Sequence, residues 1–449
     1  MEFLDKIILP QSAEHIELLH YIMLLLLSIF LPFISIIFGG TFLSVYYSIK
    51  FRKKNNIHYK IYSKDIIETV TVNNAVGVIL GIVPLLTSIL IFAQLLDQSK
   101  INTLSYLVVA FIFVSIALIM IYTYRYSVTF NYIFNSVNSN QLKNKDAEEE
   151  LEKIKNSSSH LSAKYGKLGF VFIFIGMWFY VAGITSVELF TTWSVSNFVG
   201  SIFAPAVLLK FLTFICLAFT LTAAAILFVH LYWKENKNDV DPEYRNFLKN
   251  NASKLGLRFG IPLPLLIAFN LFLLPDKNLS GSIFISSFVA ILLLFLAYHF
   301  FFMLEVKNEY KFSSAIFIIL ILVSVSLIFK DQKVISNATK QHSLVLNTQY
   351  DKILANLKGE GTVAVISGKE IYEVRCASCH RFDRKLVGPA YFDVLPQFVG
   401  KETQLVAFIR NPIKVNPAFP PMPNPGLKPQ EAEAVAKYLL EEYAKHNNK

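Results

Sequence analysis

Apolar residues fill long unbroken blocks over the first three-quarters of the chain, and a shorter amphipathic pattern follows them. Eight blocks, at about 20 to 48, 72 to 96, 102 to 124, 168 to 190, 206 to 233, 257 to 275, 280 to 305 and 312 to 330, are long enough to cross a bilayer. A hydrocarbon core of roughly 30 Å takes about 20 helical residues, and a backbone in lipid must satisfy its own hydrogen bonds, so each block predicts a transmembrane helix. From Lys330 to about Tyr350 the chain turns polar, which predicts a linker over 331–350 that leaves the membrane. Near the end, Ala432, Val435, Ala436, Leu439 and Leu440 fall on one face of a helix over Lys428 to Tyr443. Asp146 to Lys155 alternates acids and bases at helical spacing and predicts a solvated surface helix. The fold class read from this pattern is all-α: a polytopic helix bundle over 1–330, the linker, and a small all-α domain over 351–449.

Composition narrows the class. A hydrophobic share of 54% and a mean hydropathy of +0.47 exclude an ordinary soluble protein. A net charge of +10 would suggest a nucleic-acid partner in a soluble chain, but here the basic residues sit between apolar blocks and set topology instead. The partner this implies is the lipid bilayer, with no nucleic acid. Loops after blocks one, three, five and seven carry the Lys and Arg, including Lys50, Arg52, Lys53, Arg125, Lys143, Lys164, Lys234, Lys237, Arg245 and Lys307. The opposite side offers Lys6, Lys100 and Lys277 before the last helix exits. The positive-inside rule therefore predicts an outside N-terminus, and eight crossings return the C-terminal domain to the outside. The first block lacks a basic leader and a small-residue cleavage site, so it reads as a retained helix. Trp193 and Trp233 fall at predicted membrane boundaries, where aromatic belts lie.

The candidate chemistry is concentrated in Cys376-Ala377-Ser378-Cys379-His380. Two thiols three positions apart can bond both vinyl groups of a porphyrin while the next imidazole meets the iron, which is the pattern of covalent haem c attachment. Half of a zinc site is the competing reading, and it lacks a second pair: the chain has three cysteines, and Cys216 lies inside an apolar block as a buried thiol. The loop charges, counted without this motif, put it on the outer side of a bacterial inner membrane, where haem c is attached.

The stretch Gly368 to His380 (GKEIYEVRCASCH) resembles the first helix of class I cytochromes c, and 361 to 446 is similar to that family throughout. The resemblance implies one covalent haem c and single-electron transfer. It implies that Gly368 lets the first helix cross the last, with Tyr372 one turn on, and that His380 is the proximal ligand. Pro389, in Gly388-Pro389, would supply the carbonyl that fixes the tautomer of His380. Met422, proline-flanked and the only methionine after Met303, would be the distal ligand; His446 and the lysines stand in less constrained contexts. Such a six-coordinate iron holds no vacant position for substrate, so no catalytic residues are assigned.

Eight helices exceed what an anchor requires. Polar groups within a bilayer are candidates for function, and His20, His230 and His299 are candidate ligands of a b-type haem, the latter two at similar depth. His20, a basic loop after the first helix and Asn73-Asn74-Ala75-Val76-Gly77-Val78 opening the second resemble subunit I of cytochrome bd-type quinol oxidases over about 1 to 275. The chain departs from that pattern: Thr213 stands where a haem-binding histidine belongs, the second helix lacks an acid, and there is no outer quinol-binding loop. The function expected is a membrane-anchored c-type cytochrome that passes electrons among respiratory-chain redox proteins. The alternative is a subunit of a larger quinol- or cytochrome-linked oxidoreductase with haem b in its bundle.

Overall fold

The computed structural model describes residues 11–99, 101–136, 145–190, 195–233, 241–307, 309–358 and 367–447. Lys6, Lys100, Lys143, Trp193, Lys234 and Lys237 lie outside the described residues. The chain forms two compact units, one from the described residues of His20–Ala93 and Lys100–Ala338, the other from those of Met1–Leu19, Gln94–Ser99 and Thr339–Lys449. Among the described residues no strand occurs.

In chain order the first elements are α1 (Ala13–Lys54), α2 (Ile57–Val70), α3 (Asn74–Leu95), α4 (Thr103–Ser136) and α5 (Lys145–Leu189). There follow α6 (Val195–Ile202), α7 (Pro205–Leu227, continued by a π-helical turn Phe228–Trp233), α8 (Pro242–Gly260) and α9 (Leu263–Phe272). The bundle closes with α10 (Gly281–Lys307) and α11 (Phe312–Leu357). Among the described residues eight helical stretches are long and apolar enough to cross a membrane, and they coincide with the eight blocks. This is a multi-pass membrane protein. Large apolar side chains point outward, Leu25, Ile119, Phe272, Ile285 and Phe288 each more than half exposed. In water such a surface would be a liability; in lipid it is the solvated face.

Tight packing comes from small residues. Gly166, Gly169, Gly176 and Gly183 form one stripe along α5, and a Cβ at any of them would press on α4 at Tyr124, Ile121, Val114 or Leu107. Without a hydrophobic driving force between helices in lipid, close backbone approach of this kind is what holds a pair together.

Three elements differ from the sequence pattern. The sixth block is two helices, because α8 stops at Gly260 and Pro262, lacking an N–H, stands directly ahead of α9. The charged stretch after the first block contains α2, capped by Asn56, whose side chain accepts from the His58 amide at 2.9 Å. Its face of Tyr62, Ile66, Ile67 and Val70 is buried. Residues 331–350, expected as a linker, are helical throughout, since no Gly or Pro interrupts them and Val334, Ile335 and Leu346 are buried along α11. At about 1.5 Å per residue α11 spans roughly 69 Å, more than twice a hydrocarbon core. Asp146 to Lys155, expected as a surface helix, forms the start of α5.

Candidate haem c site

The C-terminal domain begins at α12 (Gly368–Ile371), which Ser367 caps by accepting from the Glu370 amide at 3.3 Å. A π-helical turn, Tyr372–Cys376, carries α12 into the thiol pair. Then come α13 (Tyr391–Val394), α14 (Glu402–Arg410) and α15 (Pro429–Asn447). Their core joins Tyr372, Cys376, Tyr391, Leu395, Leu405, Ile409, Val435, Ala436 and Leu439. Helix α12 crosses α15 so closely at Gly368 that a Cβ there would overlap the Ala434 carbonyl. Tyr372 packs beside the crossing with its ring 5.7 Å from that of Tyr438.

Cys376, Cys379 and His380 are held by one tight turn. The amides of Cys379 and His380 donate to the Cys376 carbonyl at 3.0 and 2.9 Å, and the Gly388 amide donates to the Cys379 carbonyl at 3.0 Å. All three cysteines of the chain are free thiols, Cys376 buried and Cys379 partly so. The His380 Nδ1 lies 3.0 Å from the Pro389 carbonyl oxygen. A carbonyl can only accept, so Nδ1 carries the proton and Nε2 keeps its lone pair. Two neighbours fix the ring plane, and a third holds the His380 backbone. Tyr391 stacks on it at 4.9 Å with 16° between planes, the Tyr372 hydroxyl donates to the His380 carbonyl at 3.4 Å, and Gly388 lies so near that a Cβ would strike the imidazole.

Burial raises the thiol pKa of Cys376, a hydrogen bond with Tyr391 opposing it, and burial likewise raises the phenols of Tyr391 and Tyr372. Both phenols therefore remain neutral beside the imidazole. Met422 stands half-buried in the irregular stretch between α14 and α15, where Asn416 and Asn424 shape turns by accepting from the amides of Ala418 and Gly426, each at 2.9 Å. His446 stacks on Phe392 at 3.8 Å.

This donor set fits a covalently held haem c: two free thiols at the required spacing, and an imidazole whose outer nitrogen is bonded while the inner one is left basic. Residues 363–439 match the family model described as cytochrome c oxidase, cbb3-type, subunit III. The chain is similar to cytochrome c-551 of Pseudomonas denitrificans, 37% identical over 79 residues that make up 16% of this chain and 95% of the relative. It is also similar to cytochrome c-551 of Pseudomonas aeruginosa, 38% identical over 68 residues, 14% of this chain and 65% of that one. No solved structure matches the chain. Through its C-terminal domain the chain belongs to the cytochrome c-551 family.

The histidines of the membrane unit occupy unlike settings. His230 Nε2 is 2.8 Å from the Thr69 hydroxyl, His299 is exposed with its ring edge-on to Phe300, and His20 is half-buried. A group that the sequence reading passed over lies elsewhere. Glu188 on α5, Lys210 on α7, and Lys330 and Asp331 on α11 meet in the bundle interior, Lys210 pairing with Glu188 and lying 3.5 Å from Asp331, with Lys330 2.8 Å from Asp331. The signal was available, since Glu188 and Lys210 stand inside apolar blocks where ionisable residues are costly.

Proposed function

We propose that this protein is a membrane-anchored c-type cytochrome of a respiratory chain, and that its C-terminal domain carries one covalent haem c on the periplasmic side of a bacterial inner membrane. The observation that carries this reading is the His380 Nδ1 to Pro389 carbonyl bond beside two free thiols. Haem c, when bound, supplies an iron that accepts and returns one electron. Cys376 and Cys379 hold it through thioether bonds, and His380 offers Nε2 to the iron, its plane set by Tyr391, Gly388 and Pro389. Met422 would be the second side chain to hold the iron, and its thioether would favour the reduced state relative to a second imidazole. With His380 and Met422 both holding the iron, the domain would move electrons and offer no open position for bond chemistry. Its partners are other redox proteins of the chain, a cytochrome or an oxidase among them. A haem b is left out of the proposal, because His230 is bonded to Thr69 and His299 faces outward.

A pyridine haemochrome spectrum of the purified full-length protein, with heme extraction into acidic acetone, tests the proposal. One non-extractable haem c per chain is the expected result; its absence from protein matured in a haem c-competent host would overturn the reading.

A further inference from the structure

The polar stretches that follow the first and fifth apolar blocks lie on the same side of the membrane unit, and together they assemble a set of ligating side chains. His58 in the first turn of α2 and Asp241 and Glu243 at the start of α8 each offer one donor atom, a ring nitrogen or a carboxylate oxygen, and these atoms all lie within 4.8 Å of one another. The set joins two helices that are far apart in the chain.

Local contacts hold the donors in place. The Asn56 side chain accepts from the His58 amide at 2.9 Å and so fixes the start of α2. The imidazole, its side chain 16% exposed, packs against Tyr244 and Phe247 of α8 at 5.9 and 5.5 Å. Asp241 divides its carboxylate between two tasks: Oδ1 accepts from the Glu243 amide at 3.1 Å and caps α8, while Oδ2 faces His58 Nε2 at 3.9 Å. A hydrogen bond would close that gap to about 2.7–3.2 Å, so the two atoms face each other without one. Beside them the Tyr244 hydroxyl donates to Asp65 of α2 at 2.6 Å, which sets the register of the two helices.

The surrounding cations do not neutralise the acids. Lys50 lies 4.6 Å over the Tyr59 ring, Lys60 5.7 Å over Phe51 and Arg245 5.6 Å over Tyr310. Among the described residues neither Asp241 nor Glu243 pairs with a lysine or arginine. Two carboxylates and an imidazole are the donor set of a borderline first-row divalent ion such as zinc, whose ligand atoms stand at roughly 2.0–2.2 Å and therefore at most about 4.4 Å from one another. The 3.9 Å between His58 and Asp241 falls within that span, and Glu243, exposed on α8, completes it by a change of rotamer. Magnesium and calcium take oxygen ligands and would leave the imidazole unused. We propose that His58, Asp241 and Glu243 bind one zinc-type divalent ion, with water in the remaining position, and that the ion braces α2 against α8.

The site is independent of the electron-carrier reading and is tested apart from it. Full-length protein in nanodiscs, stripped with EDTA, is titrated with Zn²⁺ by calorimetry in the presence of excess Mg²⁺. Saturable binding of one Zn²⁺ per chain is expected, together with a higher midpoint of thermal unfolding when Zn²⁺ is present. His58→Phe keeps a ring against Tyr244 and Phe247, Asp241→Asn keeps the cap of α8, and Glu243→Gln changes an exposed side chain, so all three preserve folding. Each weakens Zn²⁺ binding at least about tenfold, a loss that removal of a ligand's hydrogen-bonding partner alone can cause. Each also diminishes the Zn²⁺-dependent rise in the midpoint, while the midpoint of the stripped protein and the haem c content match those of the parent. Absence of saturable binding, binding undiminished in all three variants, or displacement of Zn²⁺ by an equal concentration of Mg²⁺ overturns the site.

Discussion

The imidazole of His380 is positioned by neighbours and not by its own chain torsions alone. The Pro389 carbonyl accepts a hydrogen bond from Nδ1–H, Tyr391 stacks on one face, and Gly388 leaves room where any side chain would collide. Cys376, Cys379, His380 and Pro389 were legible in the sequence because they lie within fourteen positions of one another and their chemistry is set by spacing. Tyr391 as a stacking partner was not, since the contact exists only once α13 folds back over the thiol turn. Met422 is singled out in the sequence by its flanking prolines, and its role as a ligand belongs to the proposal. Met422→Ala should lower the reduction potential of the haem by removing a soft thioether from the iron, as read in a potentiometric titration. An unchanged potential and spectrum would return the distal position to another side chain. Glu188, Lys210 and Asp331 escape a count of charge in loops, which reports topology, because they stand within apolar blocks or at the edge of one.

Helices dominate the molecule, and their apolar blocks were readable because lipid imposes one length and one hydrogen-bonding solution on every crossing. What sequence pattern missed was local. Pro262 divides a block that hydropathy averages into one, and α2 hides a buried face of Tyr62, Ile66 and Ile67 within a basic stretch. The polar residues after 330 signalled an exit from lipid without signalling an end to the helix. Crossing points obey stricter rules than lengths do. At Gly368 the obstacle to a Cβ is the backbone carbonyl of Ala434, which cannot rotate aside as a side chain would. Gly368→Ala should therefore destabilise the C-terminal domain by about 1–3 kcal/mol, the cost of overpacking, with the loss measured from thermal unfolding followed by haem absorbance. A melting curve superimposable on that of the parent would show that α12 shifts freely on α15.

For the molecule as a whole, the membrane unit and the C-terminal domain were both anticipated, the first from hydropathy and the second from a short motif with its supporting glycine and proline. The family relationship covers 363–439 and leaves the membrane unit to be understood from its own residues. The distribution of Lys and Arg predicts an outside C-terminal domain. Alkaline phosphatase fused after Lys449 should be active in intact cells, whereas fusions in the basic stretches near Lys53 or Lys164 should be inactive. The reverse pattern would invert the topology. Within the second unit, the end of α11 is tied to the C-terminal domain by Arg410 with Asp351 at 3.0 Å and Lys352 with Glu433 at 2.6 Å. Such partly exposed pairs contribute about 0–1 kcal/mol each and orient the contact more than they strengthen it.

The burial of Cys376 carries a consequence for how the protein is made. A thiol that is 6% exposed, enclosed by Tyr372, Tyr391 and the closing helix, is out of reach of any enzyme that must present a porphyrin vinyl group to it. On the proposed haem c attachment, thioether formation at Cys376 would therefore belong to a stage of biogenesis before α15 locks across α12. Maturation and folding of this domain would then compete, and a substitution that hastens closure should lower the yield of holoprotein while raising the stability of the apoprotein.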